Sequence, residues 1–357
     1  MTRYVYFGTY TESDSNASHR REAIYVYRMD PSRGTLTSIS TGMDVTNPSF
    51  LVFHPNHLFL YSVNEQEKGG ASALAVDQRT GALAFLNRQP TYGAAPCYLS
   101  LDSTGKWLLA ANYMGGNLTV LPVLNDGRLG PPTDLVQHYG KGVNKSRQEA
   151  PHAHSILFDP SGRFVLAADL GIDRIMVYRL DTQRGKLIPH DPPYVSANPG
   201  SGPRHMAFHL SGGYLYVANE LDSTVTVYTW DSEKGVLYPI QTLPTLPEST
   251  SLSNIVADIH LTPSGKYLYV SNRGHDSLAG FAVNGKRGFL TPFGHFPTQG
   301  KWPRNFAIDP LGAFLLVANQ NTDTVVTFWI EQKTGQITPT GQVTPVPSPV
   351  CVKIVDL

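Results

Sequence analysis

The sequence predicts an all-β fold, a seven-bladed β-propeller with four antiparallel strands in each blade, and three observations predict it. A turn glycine before an apolar run recurs seven times, at intervals of 46 to 58 residues. The 32 Gly and 27 Pro lie among many Val, Thr, Tyr and Leu, without strong amphipathic helix patterns. The chain also begins on the second strand of the repeat and ends on the first strand, so that its two ends can complete one blade and close the ring. The recurring glycines are Gly34, Gly81, Gly127, Gly185, Gly235, Gly288 and Gly335.

One complete repeat lies between residues 203 and 243. It reads PRHMAFH, then GYLYVANE, then STVTVYTW and, after Gly235, LYPIQTL. Apolar and polar residues alternate within these runs, and Ser-Gly, Asp-Ser and Lys-Gly pairs separate them. This pattern predicts an antiparallel meander of four strands, which is one propeller blade.

The two ends of the chain are predicted to share a blade. A second-strand run opens the chain at Tyr4 to Tyr10, and a first-strand run closes it at 350–355. We therefore expect one domain over residues 1–357, closed by pairing of the C-terminal strand with the N-terminal blade. The first-strand runs follow Pro48, Pro96, Pro151, Pro203, Val256, Pro303 and Pro349.

Composition restricts the partners and the location. The 28 basic and 28 acidic residues give no overall field that attracts phosphate, which argues against nucleic acid. No apolar run approaches the roughly 18 residues of a membrane span. With two cysteines and no signal-like leader before Tyr4, we expect a cytoplasmic protein.

Polar residues at the starts of first strands and the exits of second strands are expected to meet at the mouth of the central channel. His and Glu can transfer protons near neutral pH, while Arg binds carboxylate or phosphate and stabilises an oxyanion. The segment 140–155 is too long for a simple connection, which indicates a binding loop. The candidates are His152, His154, Arg204, His205, Glu220, Asp258, His260, Arg273, Arg304 and Asn319.

Other interpretations of these residues stay open. Arg204 and Glu220 can form an ion pair that only ties blades together, and either His152 or His154 can orient the other. Two His with an acid nearby can bind zinc, but the His-Ala-His pair has no third ligand at a telling spacing, so no metal and no cofactor is predicted. A serine-nucleophile elbow and glycine-rich phosphate loops are absent from the sequence.

Five strings resemble one family, the lactonase-type seven-bladed propellers, and the resemblance spans the whole chain. They are RQEAPHAHS from Arg147, GPRHMAFH from Gly202, ANEL from Ala218, ADIHLTPSGKYLYVSNRGHDS from Ala257 and WPRNFAIDP from Trp302. The family includes propeller-type 6-phosphogluconolactonases and fungal carboxy-cis,cis-muconate cyclases. The loop 11–23 is longer and more polar than the family usually shows.

The resemblance implies lactone chemistry at the channel mouth. It carries the catalytic roles to His152 or His154, Arg204, Glu220 and Arg273. We expect hydrolysis of a sugar lactone, with 6-phosphogluconolactone first, Glu220 or a histidine as the base, and the arginines on the oxyanion. Two alternatives are a cyclase that acts on a muconate-like diacid and a propeller that binds a ligand or protein without turnover.

The remaining candidates are predicted to bind the substrate. An acidic or phosphorylated substrate needs cationic contacts, which the channel mouth and the long loop 140–155 can supply. The predicted contacts for the acidic end of the substrate are Arg304, His205, Lys141 and Lys145. The other predicted substrate-binding residues are Asp258, His260 and Asn319.

Overall fold

The computed structural model describes residues 2–12, 22–41, 45–248 and 250–357, so residues 13–21 of the unusual first loop lie outside the described residues. Within the described ranges, 28 strands form seven separate four-stranded antiparallel sheets. The predicted seven-bladed propeller is confirmed. No helix in these ranges is long and apolar enough to cross a membrane.

The first four blades each order their strands from the inner to the outer edge of the ring. Blade 1 comprises β28 (Pro349–Asp356), β1 (Arg3–Thr9), β2 (Ile24–Met29) and β3 (Leu36–Thr41). Blade 2 comprises β4 (Leu51–Phe53), β5 (Phe59–Asn64), β6 (Gly70–Val76) and β7 (Leu83–Pro90). Blade 3 comprises β8 (Pro96–Leu101), β9 (Trp107–Asn112), β10 (Asn117–Pro122) and β11 (Asp134–Gln137). Blade 4 comprises β12 (Ala153–Phe158), β13 (Val165–Asp169), β14 (Arg174–Asp181) and β15 (Lys186–Ser196).

The last three blades follow the same order. Blade 5 comprises β16 (Pro203–Phe208), β17 (Tyr214–Asn219), β18 (Thr224–Asp231) and β19 (Val236–Pro244). Blade 6 comprises β20 (Ile255–Leu261), β21 (Tyr267–Arg273), β22 (Ser277–Val283) and β23 (Leu290–Pro297). Blade 7 comprises β24 (Pro303–Ile308), β25 (Phe314–Asn319), β26 (Thr324–Ile330) and β27 (Ile337–Pro345). Single 3₁₀ turns follow β13 at Leu170–Ile172 and β25 at Gln320–Thr322.

The ring closes in blade 1, as predicted. Strand β1 pairs with β2 on one side and with the C-terminal strand β28 on the other. Arg3 faces Asp356 in this register, and its guanidinium also reaches Asp309 of blade 7. The two ends of the chain are therefore held to each other and to the last blade.

The recurring glycines are needed both for the turn and for the packing of neighbouring blades. Gly235 adopts a φ of 68°, a conformation that favours glycine, and a Cβ atom there would overlap the Phe164 ring of blade 4. The other six glycines likewise have positive φ and lie against an aromatic ring of the preceding blade. The repeat that the sequence shows is thus a repeat of the contact between blades.

Bulges at the starts of the inner strands aim side chains into the channel. In β16, Pro203 pairs with Asn219 and His205 pairs with Ala218, so Arg204 is an extra residue without a partner. A bulge turns its extra residue out of the regular alternation of the strand. The same shift occurs at Cys97 in β8, His154 in β12 and Arg304 in β24.

Candidate active site

A cavity of about 250 Å³ lies where these bulges meet the exits of the second strands. Its lining comes from all seven blades and from the long loop before β12, so no single blade could form it. Most of the lining comes from two positions that recur from blade to blade. One is the bulge residue of the inner strand, and the other is the residue that follows the Asn of the second strand. The lining residues are Tyr10, Glu65, Cys97, Tyr113, Arg147, His154, Glu220, Ile255, Arg273 and Arg304.

Three guanidinium groups surround the Glu220 carboxylate. Arg273 Nη2 donates to Glu220 Oε2 at 2.8 Å, and Arg147 Nη2 donates to Oε1 at 2.5 Å. Arg204 Nε lies 2.9 Å from Oε2, but its angle is not that of a hydrogen bond, so this contact is an ion pair only. Burial raises the pKa of Glu220, but the charges of Arg273, Arg204 and Arg147 outweigh it and lower the pKa to about 2. Glu220 therefore suits the role of orienting arginines and is a poor proton acceptor at neutral pH.

The cavity carries an excess of positive charge. Three arginines of the lining, Arg147, Arg273 and Arg304, together with Arg204 beside it, are set against two carboxylates, Glu65 and Glu220. Burial lowers the pKa of Arg273 to about 9 despite the opposing effect of Glu220, which leaves the guanidinium charged at neutral pH. An anionic ligand is the complement of this charge.

Arg304 is the cavity arginine with the fewest partners. Its guanidinium lies 5.4 Å from the centre of the Tyr10 ring, a cation–π contact. Among the residues that the structure describes, it makes no hydrogen bond or ion pair. Tyr10 instead donates its hydroxyl to the Glu65 carboxylate at 3.0 Å. The donors of Arg304 are therefore free for a ligand.

The two histidines of the His-Ala-His pair have different surroundings. His154 lines the cavity, and its Nδ1 lies 3.7 Å from Cys97 Sγ. Burial and then the nearby arginines lower its pKa well below the ordinary value, so the imidazole is neutral. His152 stacks on Tyr113 and contacts the Tyr113 carbonyl through Nδ1 at 3.0 Å and Glu149 through Nε2 at 3.1 Å. The structure thus places His154 at the cavity and His152 in the anchor of the loop that precedes it.

That loop brings Arg147 to Glu220. The buried amide of Gln148 donates to Leu170 O at 2.9 Å and accepts from Asn144 N at 3.0 Å, which fixes the loop against blade 4. Lys141 and Lys145, the predicted contacts for an acidic group, are exposed on the same loop and do not line the cavity. The loop therefore contributes Arg147 to the cavity rather than Lys141 or Lys145, the two cations that the sequence suggested.

Four of the predicted substrate-binding residues lie outside the cavity lining. His205, Asp258 and His260 form a hydrogen-bonded network on the inner strands, with both imidazoles 2.8 Å from Asp258 oxygens. Asn319 is fully buried and donates to Thr298 O at 3.1 Å, so it ties blade 7 to the end of blade 6. They lie outside the cavity because strand alternation turns Asn319 away from it and Asp258 binds its neighbours, and their predicted contact with substrate stays a prediction.

Comparison with known proteins assigns the chain to a family. The family model described as "Lactonase, 7-bladed beta-propeller" matches residues 4–354. The chain belongs to this lactonase family. It is 36% identical to the 6-phosphogluconolactonase of Bacillus subtilis over 359 residues, covering 99% of both chains, and 33% identical to the 6-phosphogluconolactonase of Formosa agariphila, covering 85% of this chain and 86% of that one. The periplasmic gluconolactonase of Pseudomonas aeruginosa superposes with a TM-score of 0.92 at 33% identity, covering 99% of each chain.

The family and the enzyme class expected from the sequence, a lactone hydrolase, are confirmed. Within this lactonase, His154, Glu220, Arg273 and Arg304 line the cavity, and Arg204 supports it through Glu220. The described residues contain no group of three or more His, Cys, Asp or Glu side chains that could hold a metal ion.

Six lining residues of this lactonase are absent from the predicted site, and the repeat positions would have found four of them. Tyr10, Glu65 and Tyr113 occupy the repeat position at the exit of the second strand that Glu220 and Arg273 also occupy. Cys97 occupies the bulge position of the inner strand that His154 and Arg304 also occupy. The other two, Arg147 and Ile255, lie in or beside irregular segments with no repeat position.

Proposed function

We propose that this lactonase hydrolyses 6-phosphogluconolactone to 6-phosphogluconate, a step of the pentose phosphate pathway. The observation that carries the proposal is the excess of positive charge at the cavity, where three lining arginines and the adjacent Arg204 are set against two carboxylates, and where Arg304 has no hydrogen-bond partner among the described residues. A phosphate is the kind of doubly charged ligand that such an excess of arginine binds. The names of the relatives from Bacillus and Formosa support the same substrate.

The proposed chemistry divides the cavity by role. Arg304 binds the phosphate, and Arg273 with Arg204 stabilises the oxyanion that forms when water attacks the lactone carbonyl. Glu220 holds these arginines in place. Since the pKa of Glu220 is about 2, an imidazole takes the proton from water, and the ring oxygen gains a proton as the C–O bond breaks.

We further propose a cytoplasmic location. Cys97 and Cys351 are both free thiols buried in inner strands, an arrangement that a reducing compartment preserves. A phosphorylated substrate would also be retained inside the cell by its charge. A fusion of the protein with a fluorescent reporter, compared with fractionation of the native protein, tests the location directly.

The test of the activity is the initial rate of hydrolysis of freshly prepared 6-phosphogluconolactone above its spontaneous rate. The wild-type protein should accelerate hydrolysis, and Arg273→Gln should lower kcat by about 10²–10³-fold because it removes a charged donor from the oxyanion. A muconate-like diacid serves as the second substrate. Turnover of the diacid with no acceleration of the phosphorylated lactone would replace the proposal with the cyclase alternative.

A further inference from the structure

A second chamber adjoins the cavity within the channel. It measures about 10 Å³ and shares Cys97, His154 and Arg304 with the cavity, so the two are separated by no more than these side chains. A volume of roughly 10–15 Å³ accommodates one water molecule, provided that polar groups face it. The chamber is therefore large enough for a water and too small for any part of a sugar.

His205 presents an unpartnered nitrogen in this chamber. Its Nδ1 lies 2.8 Å from Asp258 Oδ1, and because a carboxylate only accepts, Nδ1 carries the hydrogen and Nε2 carries the lone pair. His205 lines the chamber, its side chain is 6% exposed, and Nε2 is buried with no hydrogen-bond partner among the described residues. A buried acceptor without a partner is costly unless a ligand satisfies it.

Asp258 holds His205 rigidly. The Ile259 amide donates to Oδ1 of Asp258 at 3.0 Å, and His260 and the Phe306 amide donate to Oδ2 at 2.8 and 3.3 Å. The His205 ring also packs edge-on against Tyr98 at 5.2 Å. The direction in which Nε2 points is thus fixed from several inner strands.

A second histidine–aspartate pair in the same protein shows what a purely structural pair looks like. His138 Nδ1 lies 2.6 Å from Asp169 Oδ2, and its Nε2 lies 2.9 Å from the Tyr178 hydroxyl. Both ring nitrogens of His138 therefore have protein partners, and His138 does not line either cavity. The two pairs differ in the free nitrogen of His205 and in the chamber at which it lies.

We infer that the chamber binds the water that attacks the lactone carbonyl, with His205 as its proton acceptor and Asp258 as the positioning residue. This inference rests on the proposed lactone hydrolysis. The water oxygen forms a bond to the carbonyl carbon and its proton passes to His205 Nε2. When the ring C–O bond breaks, that proton passes to the ring oxygen, and the new carboxylic acid releases a proton to solvent.

Burial and the nearby charges keep the imidazole of His205 neutral. Burial, and then the charge of Arg204, lower the pKa of His205 to about 4, although Asp258 opposes this. A neutral imidazole at pH 7 is the form that a general base requires. The titratable and charged groups that face His205 are Asp258, His260, Arg204, His154, Arg304, Cys97 and Tyr98.

The deciding variant is His205→Asn, since its amide can still donate to Asp258 while the chamber nitrogen is lost. Its matched control is His138→Asn, the same change in the other pair. We expect kcat to fall by about 10²–10⁴-fold in His205→Asn with little change in KM, and to stay near wild type in His138→Asn. Thermal unfolding should show that both variants fold. A His205→Asn protein that keeps wild-type kcat, or that loses activity only in step with His138→Asn, would overturn the inference.

Asp258→Asn tests the positioning role by a readout that folding does not move. The carboxylate raises the pKa of His205, so its removal should shift the acid limb of the kcat profile to lower pH as well as lowering kcat. An unshifted limb would contradict the role of the pair.

A high-resolution crystal structure separates this inference from the proposed function. A water within hydrogen-bond distance of His205 Nε2 is expected in the wild-type protein, and a chamber without water would refute the inference whatever the substrate. A wild-type protein that shows this water but does not accelerate 6-phosphogluconolactone hydrolysis would refute the proposed substrate and leave the water site standing.

Discussion

Two arginine–carboxylate clusters in this propeller have opposite compositions. At the ring closure one cation, Arg3, meets two carboxylates, with Nε and Nη2 donating to Asp356 at 2.8 Å and Nη1 donating to Asp309 at 2.6 Å. At the channel mouth one carboxylate, Glu220, meets three cations. Both clusters link different blades, and residues of the second cluster, but not of the first, line the cavity at the channel mouth.

The difference lies in what each cluster leaves unpaired. Every guanidinium nitrogen of Arg3 that points at the closure has a carboxylate partner. At the mouth, the Nε atoms of Arg204 and Arg273 are buried without a hydrogen bond to any described residue. A completed network stabilises the fold, while buried donors in excess are suited to an anionic ligand and to charge that develops during a reaction. Composition of the cluster, rather than burial, separates structure from function in this propeller.

Replacement of one carboxylate in each cluster should show the largest difference between them, in kcat and in stability. Glu220→Gln leaves three cations close together, so we expect a loss of about 3–5 kcal/mol in the free energy of unfolding and a loss of at least about 100-fold in kcat. Asp309→Asn is the matched change at the closure, where Asp356 still pairs with Arg3. It should lower the melting temperature less and leave kcat near wild type. Equal losses of kcat in the two variants would mean that the clusters share one structural role.

Acid should weaken the cluster around Glu220. The pKa of Glu220 is lowered from 4.5 to about 2, so its contribution to stability is complete above about pH 4.5 and is lost as the pH falls toward 2. This linkage corresponds to about 3 kcal/mol of unfolding free energy. Thermal unfolding between pH 6 and pH 2 should therefore show a flatter pH dependence in Glu220→Gln than in the wild-type protein. An identical slope would show that Glu220 is not the carboxylate that the arginines hold ionised.

The fold was accessible to sequence reasoning because one contact recurs in it. Each turn glycine needs a positive φ and lies against an aromatic ring of the preceding blade. The same physical constraint therefore occurs seven times in the sequence. The closure of the ring was predicted because the sequence starts with a second-strand run and finishes with a first-strand run. The pairing of β28 with β1 confirms it.

The candidate site could be predicted only in part, because the position of a residue within the repeat decides whether its side chain faces the cavity. Sequence reasoning grouped Asn319 with Glu220 and Arg273, although Asn319 lies one position earlier in the repeat and strand alternation turns it into the blade. Arg147 was missed for another reason. Its place is set by the burial of Gln148 in a loop that has no counterpart in the other blades.

The smallest expected effect concerns the arginine that neither cluster employs. Arg304 faces the cavity with no hydrogen bond to the described residues, whereas Lys145, another of the predicted contacts for a phosphate, is exposed on the loop. Arg304→Gln should lower kcat/KM for 6-phosphogluconolactone by about 10- to 100-fold, the loss expected for one charged hydrogen bond, and should affect unphosphorylated gluconolactone much less. Lys145→Gln should leave both substrates near wild type. An equal loss of kcat/KM for the two substrates in Arg304→Gln would mean that the guanidinium acts on the lactone ring. The excess of positive charge at the mouth would then serve the reaction rather than bind the phosphate.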